Sequence, residues 1–373
     1  MAYTVLARRY RSTSFDEVVG QLPIAETLRA AIEQDRVAHA YLFTGTRGVG
    51  KTSMARVFAK ALNNPEGDAE VDRAIMTGQD VDVIEIDGAS NNSVENAREL
   101  IANAVYRPMR GHYKIYIIDE VHMLSTAAFN ALLKTMEEPP EHVKFILCTT
   151  EAHKVLPTIQ SRCQRFDFRD IPTDQIAAHL TSVCENEKIE ADGSLIFAVA
   201  RLGAGSMRDA LSLLDRLMAS GEARLTLQTL DELLGLPDRE LLGGLIDACA
   251  EGVPGPALER ATELLRRGVS MDQVLTALLD RLRDLMVLAA CGPETGLVEL
   301  PSELRAEEAA RAERFDTSSL VHMLALCERA QRDIKSSSVP RALFDAVVVR
   351  LALAEKLADV TAAIAGAEPA KKA

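Results

Sequence analysis

The chain has 373 residues, of which 47% are hydrophobic and 26% are charged. This length suits two or three domains, and this apolar content excludes an intrinsically disordered protein. No stretch approaches the ~20 apolar residues of a membrane span, so we expect a cytoplasmic protein with no membrane partner. The net charge of -13 is only weak evidence against nucleic-acid binding, because a local cluster of basic residues on one face is enough to bind phosphates.

The six cysteines lie far apart, with no C-x-x-C pair. Their spacing encodes neither a disulfide framework nor a zinc site, so we expect reduced structural thiols. The seven histidines are equally scattered, and only His122 lies beside a candidate site.

Short apolar runs alternate with helical patterns up to about residue 170. The runs cover residues 41–43, 83–86, 114–119 and 143–148. Because they are apolar almost throughout, they predict the strands of a parallel sheet that is covered on both faces. An α/β domain is therefore expected over residues 1–171.

After Pro172 the strand signals stop, and amphipathic helices broken by Gly and Pro remain. Apolar residues at helical spacing from Met271 to Met286 predict a helix buried along one side. A second such helix is predicted near the end of the chain by Leu343, Val347, Leu351 and Ala354. The rest of the chain should therefore be all-α, followed by an unstructured tail at residues 359–373.

A glycine-rich loop after the first apolar run fits the pattern G-x-x-x-x-G-K-[ST]. Its strand-loop-helix context predicts that backbone N–H groups cradle phosphates, with Lys51 on the β and γ phosphates and the Thr52 hydroxyl on Mg²⁺. The predicted binding residues are Gly45, Thr46, Arg47, Gly48, Val49, Gly50, Lys51, Thr52 and Ser53.

Two acids, Asp119 and Glu120, end the run at 115–118. They should emerge at the carboxyl end of a buried strand, where α/β sheets bind ligands. Asp119 is then the carboxylate on the metal side, and Glu120 is the base that activates water. Such a pair is also common at protein surfaces, but the phosphate loop favours the functional interpretation.

Further motifs resemble the AAA+ clamp-loader subunits, and in particular the gamma/tau subunits of bacterial DNA polymerase III. The resemblance covers residues 3–235 and continues more weakly to about 357. The general motifs are 119–125, 129–134, 136–140 and 161–163 (Ser-Arg-Cys), and the specific ones are 6–10, 15–21, 84–90 and 205–211.

The resemblance implies a P-loop ATPase domain, a helical lid at 172–235 and a helical collar at 236–358. It also implies a motor subunit that uses ATP and Mg²⁺ in a five-membered ring with delta- and delta-prime-type subunits. That ring opens a sliding clamp and loads it onto primer-template DNA. The absence of a polymerase- and helicase-binding extension suggests the short form or a trimmed chain, and no polymerase site is apparent.

The resemblance also implies roles for single residues. Arg162 would be an arginine finger that acts on the neighbouring subunit, Thr150 a polar sensor and Arg208 a lid sensor. Without the resemblance, Arg162 would be read as an ordinary surface arginine, Thr150 as a strand-end hydroxyl and Arg208 as a solvated helix residue. The adenine would lie near Val19 and Gly20, with Tyr10 and Arg11 close by.

Two further expectations depend on family position. Arg98 and Lys154 are candidates for DNA contacts, with solvated charges as the alternative. Gamma/tau subunits usually carry four zinc-binding cysteines after the phosphate-loop helix, but residues 62–81 contain none, so no zinc is expected.

Two rival functions remain. A non-hydrolysing structural subunit is disfavoured because Lys51, Thr52, Asp119 and Glu120 are all present. A branch-migration helicase motor is disfavoured by the Ser-Arg-Cys motif and by the helical collar.

Overall fold

The computed structural model describes residues 4–222, 224–298, 300 and 302–354. The tail predicted at 359–373 lies outside these residues. The chain forms two compact units, Met1–Arg224 and Leu225–Ala373, each of which is described by itself. The division into three domains after residues 171 and 235 stays a prediction.

The first unit is built on a five-stranded parallel sheet. Its strands are β1 (Ala40–Thr44), β2 (Val83–Asp87), β3 (Lys114–Asp119), β4 (Val143–Thr149) and β5 (Gln164–Asp167), in the order β2-β3-β4-β1-β5. The predicted parallel sheet is confirmed. The sequence did not predict β5, because three of its four residues are exposed and form no apolar run.

Helices cover the sheet and follow it in the chain. They are α1 (Leu6–Arg9), α2 (Leu22–Glu33), α3 (Lys51–Asn63), α4 (Ala69–Thr77), α5 (Val94–Ala104), α6 (Thr126–Glu137), α7 (Pro157–Gln160), α8 (Thr173–Glu187), α9 (Gly193–Leu202) and α10 (Met207–Met218). Single 3₁₀ turns lie at Phe15–Glu17, Val121–Met123 and Ala152–Lys154. The expectation of helix alone after Pro172 was wrong for β6 (Glu190–Ala191) and β7 (Arg224–Leu225), two-residue strands that are too short to show a period.

Successive residues of β1 point into two different cores. Tyr41 and Phe43 pack with α2 and α3, whereas Ala40 and Leu42 pack with α5 and α6. Successive side chains of a strand point to opposite faces of the sheet, and both faces of this strand are buried. The sheet is thereby held rigidly, with the carboxyl ends of its strands along one edge.

The acidic segment after α3 folds as α4. The Asp68 side chain accepts hydrogen bonds from the N–H groups of Glu70 and Val71, and Gly78 ends the helix in the left-handed conformation. Capping at both ends accounts for a short helix whose single buried residue is Ile75.

The regular elements of the second unit after Leu225, the last residue of β7, are helices in its described residues. Its helices are α11 (Leu227–Leu234), α12 (Arg239–Ala250), α13 (Pro254–Arg266), α14 (Met271–Cys291), α15 (Ser302–Ala312), α16 (Thr317–Ser336) and α17 (Pro340–Ala352). The predicted stripe on α14 is buried in one core, with Val274, Leu278 and Leu282 at its centre.

The stripe predicted near the end of the chain is confirmed at Leu351 and Ala354, which are buried, and Val347 packs partly buried against the same core. It was wrong at Leu343, which is exposed, and Phe344 and Val348 face the core beside it. Leu343 and Phe344 each continue a helical spacing toward Leu351, so the periodicity did not distinguish them.

Among the described helices of the chain, none combines the length and apolarity that crossing a membrane needs.

Candidate nucleotide-binding site

The phosphate loop joins β1 to α3 and needs glycine at two crowded positions. Gly45 and Gly48 have φ values of 142° and 80°. A Cβ on Gly45 would lie 2.5 Å from the Phe168 carbonyl oxygen, and one on Gly48 would lie 1.9 Å from Ser206 Oγ. The loop can therefore pass this close to its neighbours only without side chains at these two positions.

Two hydroxyls tie the end of β1 and the start of the loop to the end of β5 and the residues after it. The Thr44 hydroxyl donates to Asp167, and the Thr46 hydroxyl donates to Asp170 over 2.5 Å. With the close approach of Gly45 to Phe168, these bonds fix residues 44–46 to residues 167–170.

Lys51 begins α3 and is buried at the base of the loop. Its ammonium donates to the carbonyl oxygens of Gly45 and Thr46, each over 2.7 Å. Burial lowers the pKa of Lys51, and the nearby Glu120 and Asp119 oppose that shift. A third N–H remains for an anion at the helix N-terminus, where the helix dipole favours negative charge.

Thr52 and Asp119 bring together the two oxygen ligands that the sequence predicted. The Thr52 hydroxyl donates to Asp119 Oδ2 over 2.7 Å. A hydroxyl beside a carboxylate suits Mg²⁺, which takes few protein ligands and completes its octahedron with phosphates and waters. These residues therefore fit the expected ion.

Glu120 is held in an unusual backbone conformation next to Thr150. Its φ and ψ are 45° and 46°, in the left-handed region that non-glycine residues rarely adopt. Its Oε2 accepts from the Thr150 hydroxyl over 3.1 Å and lies 3.4 Å from the Thr150 nitrogen. The ends of β3 and β4 thus bring the predicted base and the predicted sensor together.

Lys51, Thr52, Asp119 and Glu120 line one cleft with a volume of about 470 Å³. An adjoining hollow of about 530 Å³ contains Gly20 together with Val19 and His179. The predicted residues that line the cleft are Tyr10, Arg11, Val19, Arg47, Gly48, Val49, Gly50, Lys51, Thr52, Ser53, Asp119, Glu120 and Arg208.

Several arginines make this cleft positive. Burial lowers the pKa of Arg11, and the positive charges of Arg56, Arg208 and Arg8 lower it further. Arg56 is partly neutralised because it binds both oxygens of Glu85, over 2.6 and 2.8 Å. Arg56 and His179 were not predicted from the sequence, since no local pattern marks residues that meet only in the folded chain.

Tyr10 and Arg208 reach the cleft from different elements. The Tyr10 hydroxyl donates to Glu187 at the end of α8, and Arg208 lies in the first turn of α10. The Ser206 hydroxyl caps that helix by accepting from the Asp209 nitrogen over 3.2 Å. The cleft is therefore bounded by both the sheet and the helices that follow it.

Gly45, Thr46 and Thr150 contact residues of the cleft without lining it, whereas Arg162, Arg98 and Lys154 lie elsewhere. Arg162 pairs with Glu137 over 2.6 Å and donates to the Thr158 carbonyl. Arg98 is exposed on α5, and Lys154 is exposed and pairs with Glu151 over 2.6 Å.

Family comparisons cover most of the chain. The family model described as DNA polymerase III, delta subunit matches residues 20–172, and the model for the clamp loader subunit ATPase lid domain matches residues 175–223. The model for domain III of DNA polymerase III subunits gamma and tau matches residues 225–366. DNA polymerase III subunit gamma of Buchnera aphidicola is 37% identical over 286 residues, which cover 75% of this chain and 79% of that one. The chain belongs to the gamma/tau family of DNA polymerase III clamp-loader subunits.

A longer gamma/tau relative is matched only in part. DNA polymerase III subunit tau of Bacillus subtilis is 37% identical over 360 residues, which cover 94% of this chain and 63% of that protein. This chain therefore spans somewhat less than two thirds of that relative.

Among solved structures, the Thermotoga maritima RuvB Holliday junction branch migration motor is similar to this chain with a TM-score of 0.48 and 18% sequence identity. The match covers 64% of this chain and 79% of that chain. The family expected from the sequence motifs is confirmed.

Proposed function

We propose that this gamma/tau chain is an ATP-hydrolysing motor subunit of a bacterial clamp loader. In that role it would help to open a sliding clamp and load it onto primed DNA. One observation carries the proposal: Lys51, Thr52, Asp119 and Glu120 meet in one cleft.

Nucleotide binding would use the loop and the start of α3. Lys51 and the free N–H groups at the helix N-terminus would hold the phosphates. Thr52 and Asp119 would hold Mg²⁺, which neutralises phosphate charge when it is bound. Arg11 and Arg208 would add positive charge, while Val19 and Tyr10 would lie on the adenine side.

Hydrolysis would depend on Glu120. This carboxylate would accept a proton from the attacking water, and Thr150 would hold the carboxylate in place. The strained backbone at Glu120 supports this role, since such strain persists where the surroundings hold a functional group in place.

The arginine finger would come from the neighbouring subunit. The Arg162 side chain is 32% exposed and Glu137 is 48% exposed, so their pairing restrains Arg162 only weakly. An exposed guanidinium can reach the γ phosphate of an adjacent subunit and make hydrolysis depend on assembly.

The partners would be other loader subunits in a pentameric ring, a sliding clamp and primer-template DNA. Arg98 and Lys154 would contact DNA phosphates, which give affinity without base recognition. Their exposure on the first unit is compatible with this role.

The deciding experiment is clamp- and DNA-stimulated ATP turnover by the reconstituted loader carrying Arg162→Ala. We expect normal nucleotide binding and loss of the stimulated rate. The matched control is Arg165→Ala, which removes another partly exposed, ion-paired arginine outside the cleft. Unchanged stimulation in Arg162→Ala would refute the finger, and a wild-type loader without turnover would refute the motor role.

A further inference from the structure

His122 links the loops that follow β3 and β4. Its side chain is 7% exposed, although it lies two residues after Glu120. Nδ1 lies 3.0 Å from the Thr149 hydroxyl, and Nε2 lies 3.1 Å from Glu151 Oε2. Both ring nitrogens therefore face the residues that flank Thr150.

The surrounding hydrogen bonds indicate which nitrogen carries the hydrogen. Glu151 is a carboxylate, which only accepts, so the contact favours a hydrogen on Nε2. The Thr149 oxygen already accepts from the Glu151 nitrogen over 3.0 Å, which leaves its own hydrogen free to donate to Nδ1. With this arrangement the ring satisfies both the Glu151 carboxylate and the Thr149 hydroxyl.

This arrangement also fixes the two groups of the proposed hydrolytic step. Glu120 Oε2 is held by Thr150 over 3.1 Å and lies 3.5 Å from His122 Nδ1. Thr149 and Glu151, the neighbours of Thr150 in the chain, are the residues that His122 contacts. Rotation of the turn at 149–151 would move the Thr150 hydroxyl away from Glu120.

We propose that His122 is a positioning residue that keeps Thr150 aligned with Glu120 by joining Thr149 to Glu151. This proposal rests on the proposed ATP hydrolysis. His122 acts through the backbone turn that carries Thr150, and its Nδ1 lies 3.5 Å from Glu120 Oε2, beyond the usual hydrogen-bond distance. Lys154 supports the arrangement, because it pairs with Glu151 over 2.6 Å and holds that carboxylate beside the ring.

The test measures the kcat and KM of the reconstituted loader with His122→Ala and His122→Asn. We expect kcat to fall about 10- to 100-fold in His122→Ala with KM little changed, because a small displacement of a catalytic group costs rate rather than affinity. The Asn oxygen can replace Nδ1 as the acceptor for the Thr149 hydroxyl, so His122→Asn should recover part of the lost rate. His322→Ala, at an exposed histidine of the second unit, is the control.

The outcomes separate this proposal from a purely structural role. Equal loss in His122→Ala and His122→Asn, or a loss that follows thermal stability, would overturn it. Unchanged kcat in a loader that hydrolyses ATP would also overturn it while leaving the proposed function intact. A wild-type loader without turnover would overturn both.

Discussion

The Arg162 guanidinium lies 2.6 Å from the Glu137 carboxylate on the surface of the first unit. Exposed pairs of this kind contribute about 0 to 1 kcal/mol. We therefore expect Glu137→Ala to lower the free energy of unfolding by less than about 1 kcal/mol, measured by urea denaturation. Glu85→Ala is the contrast, because Glu85 binds a mostly buried Arg56 and its loss should cost more than about 2 kcal/mol. Equal losses would show that Arg162 is firmly held.

Lys51 should control nucleotide affinity. Lys51→Met removes the ammonium at the base of the loop, and the loss of a charged hydrogen bond predicts about 10- to 100-fold weaker binding of ATP. Isothermal titration calorimetry would measure the change. Lys60→Met, on the same helix and paired with Asp72 over 3.4 Å, should bind ATP normally. Similar affinities in the two variants would contradict the assignment of Lys51.

Glu120 should control rate rather than binding. Glu120→Gln keeps an oxygen that accepts from Thr150 but cannot take a proton from water. Turnover should fall by about 100-fold or more while ATP affinity is retained. Glu138→Gln, at an exposed position after α6, serves as the control in the same steady-state assay. Substantial turnover in Glu120→Gln would exclude Glu120 as the base.

Gly48→Ala tests the contact between the loop and Ser206. The new Cβ would meet Ser206 Oγ at 1.9 Å, in addition to the left-handed φ of 80°. Gly67→Ala shares the conformation, with φ at 76°, and has no neighbour within 4 Å, so it should cost only about 1 to 2 kcal/mol. We expect a larger loss in Gly48→Ala, partly reversed by Ser206→Ala in the double mutant. Equal losses in the two glycine variants would disprove the clash.

His179 should make stability depend on pH. Burial lowers the pKa of His179, so the unfolded chain takes up a proton at a higher pH than the folded chain. Stability should therefore fall as the pH drops through the ordinary histidine value of about 6.5, by no more than about 1.4 kcal/mol per pH unit for one proton. His179→Gln should flatten this dependence in thermal unfolding between pH 7.5 and 5.5. His112→Gln, which alters an exposed histidine, should not.

The sequence predicted the parts of the site that depend on local pattern. The four longer strands, the loop before Lys51 and the acids after β3 are each continuous in the chain, so periodicity and spacing were sufficient. Family motifs then suggested Thr150 and Arg208, and the fold brings both to the cleft region.

The features that the sequence did not predict depend on distant residues. The side chains of Arg56 and Glu85 pair across 29 positions, and those of Arg162 and Glu137 pair across 25. Neither pairing leaves a mark in local composition. β5 was missed for a related reason, since it pairs with the distant strand β1 and has Phe166 as its single apolar residue, which forms no apolar run.

The bonds from Thr44 and Thr46 to Asp167 and Asp170 have a mechanical consequence. They join the end of β1 and the start of the phosphate loop to the end of β5 and the connector that leads into α8, so movement of the connector is coupled to the loop. A swing of the helices beyond residue 172 would pull on the loop itself. The loop would then transmit strain between these helices and the group that its backbone N–H groups bind.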